Sequence, residues 1–276
     1  AQIAPPHKGS DPGDTERYVR CWMEVPYGRI VHGVGEQEFD NGSTIKWFPF
    51  VSGGSFRRWY GNNRLVINWY PGGKRLKDFE PRSNVRSEKL NFSKTVIWSR
   101  ISKQVLAGRY IPHGYVQNDV TPFFELSDKS ESLGLLLAVI NSSSLEAIGQ
   151  AISQSLHYEV GQVAGLPLPA FSAFSPAGVE RLIDIFRSDW DARETSWDFA
   201  RPPYLRGGHS LLQDAFDDWY RRSCETADEA QCLEKENNRY WADVYGLVDE
   251  VEVNVPLSRV SLTYNPRFAF APTKGA

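Results

Sequence analysis

Short apolar runs with alternating polar positions fill the first half of the chain, between residues 44 and 126. These runs are rich in β-branched and aromatic residues, and turn-forming clusters such as YGNN, YPGGKR and PHG separate them. Such a pattern is typical of β-strands joined by tight turns. We therefore predict strands within STIKWF, RLVINWY, KTVIWSRI, RYIP and GYVQN.

The apolar spacing lengthens after residue 132. In LGLLLAVINSSSLEAIGQAISQSL, apolar residues recur at three- and four-residue steps from Leu133 to Leu156. This spacing predicts a buried helical stripe, with a break between Asn141 and Ser144. The Gly- and Pro-rich VGQVAGLPLPAFSAFSP after it is typical of a connector.

Helical patterns dominate the remainder of the chain. Ser175 and Pro176 are a suitable N-cap and first position for the helix AGVERLIDIFRSDW. Thr226 and Glu229 form a capping-box pattern that predicts the start of a separate helix, which Gly246 would end. We expect the apolar stripes of these helices to pack together as a hairpin or bundle: Leu211, Phe216, Trp219, Leu233, Tyr240 and Trp241.

These elements predict an α+β fold in three parts. Residues 1–172 would form a domain around a mixed or antiparallel sheet, residues 173–250 a helical spacer or bundle segment, and residues 251–276 a C-terminal strand and tail. A chain of 276 residues with 41% hydrophobic residues, nine Trp and fifteen Phe can fill the core that this fold needs.

The composition of the chain indicates the cellular location in which the protein is expected. No apolar run approaches the roughly 20 residues that span a bilayer, and the N-terminus has no signal-peptide pattern. The three cysteines show no CxxC spacing, which argues against a zinc site or a disulfide framework. We therefore expect a cytoplasmic protein with no membrane partner. Because the chain begins at Ala1 without methionine, we also expect it to be a piece of a longer protein.

Charge is distributed very unevenly along the chain. The formal net charge is −3, yet fourteen Lys or Arg residues and only three acids lie between residues 46 and 115. A positive field on one part of a protein favours polyanionic partners. We expect these cations to gather on one concave face, against the alternative of an ordinary solvated basic surface.

A nucleic acid is a polyanionic partner that matches the residue types of this basic segment. Arg and Lys neutralise phosphates, Arg and Asn make paired hydrogen bonds with base edges, and Gly allows close backbone approach. We predict that the cations beside the flexible PGG contact phosphates, whereas at least one residue after SGGSF reads a base. The candidate DNA-binding residues are Lys46, Gly53, Gly54, Arg57, Arg58, Asn62, Asn63, Arg64, Lys74, Arg75, Lys77, Arg82, Arg86 and Arg100.

The aromatic residues of the same stretch have a simpler explanation. Alternating aromatic residues in strands usually face a core. We therefore predict a structural role for Trp47, Phe48, Phe50, Trp59 and Trp69.

No catalytic or metal-binding residue can be assigned from the sequence. VHGVGEQEF contains Gly33 and Gly35, but no strand pattern precedes it and no helix pattern follows, so we interpret it as a loop. YNPRF, residues 264 to 268, is similar to the Asn-Pro-Pro-aromatic motif of adenine methyltransferases, but Arg267 replaces the second proline and a strand-end turn is favoured. The five histidines lack metal-ligand spacing.

Several segments together resemble a known family. They include KWFPFVSGGSFRRWYGNNRLVINW, RYIPHGYVQND, LHYEVGQVAGLPLP, LEKENNRYWADVYGL and PLSRVSLTYNPRF, and the resemblance covers nearly the whole chain. The chain resembles the C-terminal region of the PglX/BrxX family, the adenine-specific DNA methyltransferases of BREX phage-defence systems. LHYEVGQVAGLPLP is also similar to the end of a target-recognition domain in type I specificity subunits.

The resemblance implies a recognition module rather than a catalyst. The parent enzyme would transfer a methyl group from S-adenosylmethionine to adenine, in an N-terminal catalytic domain outside this chain, so no cofactor is expected here. Expected partners are double-stranded DNA, that catalytic domain, other defence subunits and DNA-mimicking phage inhibitors. Two alternatives stay open: a methyltransferase in its own right that uses YNPRF, and a protein-interaction module whose basic face binds acidic partners.

Overall fold

The computed structural model describes residues 4–33, 46–100, 105–126, 130–152, 158–168 and 177–269. Its order of elements confirms an α+β fold with a C-terminal helical segment. The predicted N-cap at Ser175 and Pro176, Gly35 and Leu156 lie outside the described residues.

Two small antiparallel sheets form the first part of the chain. One has the strand order β1-β7-β5-β6, and its strands are Pro6–His7, Phe123–Phe124, Thr95–Trp98 and Gly108–Ile111. The other has the order β2-β4-β3, and its strands are Val19–Cys21, Leu65–Asn68 and Trp47–Phe50. An isolated parallel bridge between Phe50 and Val116 links the strand β3 to the segment after β6.

The predicted strands are confirmed for four of the five runs. GYVQN forms only isolated bridges, Val116 with Phe50 and Asn118 with Ser10, and the sheets contain three strands that the sequence did not indicate: β1, β2 and β7. These strands have two or three residues each, so no alternation of apolar and polar positions can develop within them.

Two short helices lie among the strands, and the longer helices follow the sheets in the order expected, with several differences in detail. Their bounds are Thr15–Tyr18 (α1), Lys74–Lys77 (α2), Ser130–Ile140 (α3), Ser143–Ile152 (α4), Val160–Ala164 (α5), Ala177–Asp191 (α6), Leu212–Tyr245 (α7) and Pro266–Ala269 (α8). The break predicted between Asn141 and Ser144 is confirmed, and Gly246 ends α7 in the left-handed conformation, φ 68°. The predicted connector instead begins with the helix α5.

The separate helix predicted to start at Thr226 is wrong. Thr226 lies inside the 34-residue helix α7, where its Oγ1 donates a hydrogen bond of 2.8 Å to the carbonyl of Arg222 one turn earlier. A capping-box sequence therefore does not interrupt this helix, because the hydroxyl bonds to the preceding turn instead of capping a new one.

The hairpin of apolar stripes is also only partly present. Trp241 is buried against the shared core, whereas Leu211 is 62% exposed and Phe216 is 46% exposed. The N-terminal turns of α7 therefore carry exposed apolar side chains, and α7 packs against α4, α6 and the segment Pro203–Leu205.

One hydrophobic cluster joins the sheet part and the helical part. It includes Val96 and Trp98 of β5, Leu137 of α3, Phe186 of α6 and Trp241 of α7. A second cluster around Phe48, Phe50, Trp69, Leu76 and Val116 holds the three-stranded sheet. Four of the five aromatic residues predicted to be structural are buried, and Trp47 is half-buried.

Within the described part of the chain, no single helix has both the length and the apolar character to cross a membrane. The helices α3 and α4, which meet at a bend of 65°, reach that length and composition only as a pair.

Candidate nucleic-acid interface

Arg57 lies inside the protein. It is 5% exposed, and its Nη2 donates 2.7 Å to the carboxylate of Asp189 and 2.8 Å to the carbonyl of Phe186, both on α6. The guanidinium also lies 5.5 Å from the ring centre of Trp190. Every one of these groups belongs to the helical part, so Arg57 fastens the SGGSFRRWY segment to α6.

Arg58 and Trp59 make the equivalent connection to α4 and α7. Arg58 is 4% exposed and lies 3.4 Å from the carboxylate of Glu146 and 3.9 Å from that of Glu234. Trp59, held at φ 66°, donates its indole N–H to Glu234 over 2.6 Å. Burial raises the pKa of the Glu234 carboxyl, and Arg58 and the Trp59 hydrogen bond act in the opposite direction.

Arg109 is a buried cation that the sequence analysis did not single out. It is 2% exposed and donates to two carbonyls, Gly61 at 2.7 Å and Ser52 at 2.9 Å. Burial, and then the nearby charge of Arg57, lower the pKa of Arg109 to about 9. Its guanidinium joins the SGG turn to the YGNN turn, so both turns are fixed from inside the fold.

Asn62 and Asn63 are buried as well. The Asn62 amide donates 2.9 Å to the carbonyl of Ser55, and a side chain at Gly54 would meet that amide at 2.9 Å. Gly54 has φ 112°, which few other residues adopt. Gly53 and Gly54 themselves lie at or near the surface, but the two Arg and two Asn candidates around them face the interior.

Exposed cations occur in the next segment, residues 71–90, which we call the basic loop. It contains six Lys or Arg residues and three acids. Lys77 pairs with Glu88 over 2.7 Å. Among the described residues, no carboxylate forms an ion pair with the other predicted candidates of the basic loop, and all of them are exposed: Lys74, Arg75, Arg82 and Arg86.

Buried contacts fix the backbone of the basic loop. Leu76 is fully buried in the second hydrophobic cluster, and the Tyr18 hydroxyl donates 3.2 Å to the carbonyl of Arg75. Two backbone hydrogen bonds of 2.8 Å join Asn84 to Asp11. Gly73, at φ 65°, packs so closely on Trp69 that a β-carbon would lie 2.9 Å from the indole ring. The loop therefore presents its cations from an ordered framework.

The remaining candidates lie apart from one another. Lys46 precedes β3 next to the start of the basic loop, since its carbonyl accepts from the backbone N–H of Trp69. Arg64 is exposed at the opposite end of β4, close to Trp22. Arg100 forms ion pairs with Asp119 and Glu159 at 3.6 and 3.7 Å. The expectation that all the cations share one face is wrong for Arg57 and Arg58, because they are buried.

YNPRF leads from a turn at Thr263 and Tyr264 into α8, which begins at Pro266 within the motif. The Asn265 amide donates to the carbonyls of Leu257 and Val260 at 2.7 and 2.9 Å, and Asn265 is 2% exposed. The Asn265 amide group is therefore occupied by its own backbone. Within the described ranges, no three His, Cys, Asp or Glu side chains gather as a metal site.

Comparison with known proteins identifies relatives of this chain. No protein-family profile matches the chain. The chain is homologous to the adenine-specific methyltransferase PglX of Lacticaseibacillus casei strain Zhang, with 30% identity over 258 residues, and to the adenine-specific methyltransferase BrxX of Escherichia coli O9:H4 strain HS, with 28% identity over 197 residues. These alignments cover 88% and 70% of this chain.

The chain is much shorter than these relatives. The alignments span 21% of the PglX protein and 15% of the BrxX protein. The resemblance predicted from the sequence segments is thus confirmed as homology to adenine-specific methyltransferases.

Proposed function

We propose that this chain is the DNA target-recognition region of an adenine-specific DNA methyltransferase that acts in bacterial phage defence. The observation that carries the proposal is the basic loop: four exposed cations without carboxylate partners among the described residues, in a chain of net charge −3. Its support is the homology to two adenine-specific methyltransferases. The parent enzyme would hold S-adenosylmethionine in a separate N-terminal domain and flip the target adenine into it.

The proposed division of labour follows the three parts of the chain. Residues 1–172 would bind the duplex, residues 173–250 would act as a spacer and docking segment, and residues 251–276 would form a C-terminal tail. The exposed apolar side chains on the N-terminal turns of α7 support a docking surface for the methyltransferase domain. Other defence subunits and DNA-mimicking inhibitors are further proposed partners.

The exposure of the proposed DNA-binding residues divides them into three groups with different roles. Lys74, Arg75, Lys77, Arg82 and Arg86 would contact phosphates from the ordered basic loop, with Lys46 beside them. Arg57, Arg58, Asn62 and Asn63 are buried inside the fold, so their proposed contribution is to shape the turns that support the interface. Arg64 and Arg100 stand as peripheral contacts on other parts of the surface.

Duplex binding at several salt concentrations tests this function. Each phosphate contact that is lost should flatten the slope of log K against log salt by up to about 0.9. We expect the triple variant Lys74→Ala, Arg75→Ala, Lys77→Ala to bind all duplexes more weakly, with a flatter slope. The charge-matched control replaces three exposed arginines of the helical part, Arg201, Arg206 and Arg239, with Ala.

The control variant should keep the slope of the unmodified chain. Equal weakening in both triple variants would show that only net charge matters, which would contradict an interface at the basic loop. Failure of the unmodified chain to bind any duplex would favour the alternative of a protein-interaction module with acidic partners.

A further inference from the structure

A cavity of about 300 Å³ lies beside the basic loop. Its walls come from α1, β4 and the loop itself, and the lining residues are Arg17, Tyr18, Asn68, Arg75, Asp78 and Phe79. Only Arg75 among them was predicted from the sequence as a DNA contact. The cavity therefore adds a set of functional candidates that converge only in the folded chain.

Aromatic rings hold the guanidinium groups at this cavity. The guanidinium carbon of Arg17 lies 5.1 Å from the ring centre of Tyr18 and 5.2 Å from that of Phe79. Arg82 approaches the same Phe79 ring at 5.3 Å. A guanidinium that is held against rings keeps its fork of N–H donors for bidentate acceptors, and a Lys ammonium cannot reproduce that planar fork.

Two acceptor groups fit such a fork in DNA: a phosphate, and the O6 and N7 atoms of guanine. Asp78 distinguishes between them. Its carboxylate is exposed in the same cavity wall, and no cation pairs with it among the described residues. A carboxylate repels a phosphate, whereas it accepts a hydrogen bond from the N4 amino group of cytosine.

The floor of the cavity is also polar. Asn68 is 6% exposed, and its Oδ1 has no hydrogen-bond partner within the described ranges. Buried amide oxygens normally find a partner, so this one marks a cavity suited to a polar group. Tyr18 and Leu76 anchor the two sides of the cavity in the core, which fixes the spacing between Arg17 and Asp78.

We propose that this cavity reads one G·C base pair in the major groove, with Arg17 donating to O6 and N7 of guanine and Asp78 accepting from N4 of cytosine. Arg75 and Lys74 then hold the adjacent phosphates. This assignment rests on the proposed function, because it names the base pair that the DNA-recognition region reads.

Selection from a pool of duplexes with a randomised central segment tests the assignment. The full 276-residue chain is the bait, and the retained duplexes are sequenced. We expect a motif with at least one fixed G·C position. Arg17→Lys and Asp78→Ala should each relax that single position and reduce its discrimination by roughly 5- to 150-fold, while the other positions of the motif stay fixed.

A base analogue gives a second, independent measurement. Duplexes that carry 7-deazaguanine at the fixed position lack the N7 acceptor. The unmodified chain should bind them more weakly than normal duplexes, and Arg17→Ala should bind both equally. Arg17 and Asp78 are exposed, so these variants are expected to fold, and thermal unfolding of each variant checks this.

The outcomes separate this assignment from the proposed function. Binding with a motif that Arg17→Lys and Asp78→Ala leave unchanged, or binding with no motif, overturns the base-reading role and leaves DNA binding intact. No retention of any duplex overturns both.

Discussion

Two regions of this molecule combine arginine, glycine and aromatic residues, and they use them in opposite ways. In residues 57–63, Arg57 and Arg58 turn inward and meet carboxylates of α4, α6 and α7, as in the 2.7 Å pair between Arg57 and Asp189. In the basic loop, the arginines are exposed and have no carboxylate partners among the described residues, and Arg82 lies 5.3 Å from the ring centre of Phe79. The same composition therefore forms an internal lock in one place and an available positive surface in the other.

The difference lies in the partners, not in the cations. Asp189, Glu146 and Glu234 come from helices 88 to 175 residues further along the chain, and they neutralise the first region. The basic loop instead packs against the N-terminal segment, through contacts that involve backbone groups and rings. A cation stays available for an external anion when the fold places no carboxylate beside it.

The largest expected effect concerns the buried pair. Removing one member of a buried ion pair costs about 3–5 kcal/mol, because the other charge stays buried without compensation. We therefore expect Arg57→Met or Asp189→Asn to lower the free energy of unfolding by about that amount in urea titrations. Asp189 also accepts from the backbone N–H groups of Thr263 and Tyr264 at 3.0 and 3.1 Å, so its loss would loosen the C-terminal segment too.

The matched control for this prediction is the exposed pair of Arg181 with Glu229, whose side chains are 54% and 42% exposed. Exposed pairs contribute about 0–1 kcal/mol, so Arg181→Ala should change stability little. Similar losses for Arg57→Met and Arg181→Ala would remove the distinction between an internal lock and a solvated pair.

Glu234 should make the free energy of unfolding depend on pH. Burial raises the pKa of its carboxyl, so folding favours the protonated form. The resulting stabilisation is complete below the unfolded-state pKa, which is about 4.3, and is lost as pH rises through the higher folded-state pKa. Glu234→Gln should therefore remove this decline and match or exceed the unmodified chain at neutral pH in urea titrations across pH.

Two further variants sharpen this prediction. Glu234→Ala leaves the Trp59 N–H without its acceptor, so it should cost about 1–3 kcal/mol at every pH. The exposed Glu229 has a lowered pKa because Arg181 donates to it, so its stabilisation is instead lost as pH falls. An identical pH profile for the Glu234→Gln and Glu229→Gln variants would contradict the burial argument.

Local signals predicted the parts of the fold that depend on neighbouring residues. The end of α7 at Gly246 and the break after Ile140 follow from residues adjacent in the chain. The burial of Arg57 could not be predicted, since its partner Asp189 lies 132 residues away and resembles any helix-face acid in the sequence. The cavity beside the basic loop escaped prediction for the same reason, because Arg17 and Phe79 converge only after folding.

The smallest expected effect concerns the one ion pair that we identify within the basic loop. Lys77 and Glu88 are 42% and 47% exposed and 2.7 Å apart. A double-mutant cycle with Lys77→Ala and Glu88→Ala should give a coupling of about 0.2–1 kcal/mol at low salt. The coupling should approach zero in about 1 M salt, where the Debye length is only about 3 Å. The buried Arg58 and Glu234 should instead keep their coupling in salt, since solvent ions cannot reach them.

If the Lys77–Glu88 coupling persists in high salt, Lys77 is committed to Glu88 and cannot be a phosphate contact. If it fades as expected, a phosphate can replace Glu88 at small cost, and the basic loop differs from the internal lock in how readily its cations exchange partners.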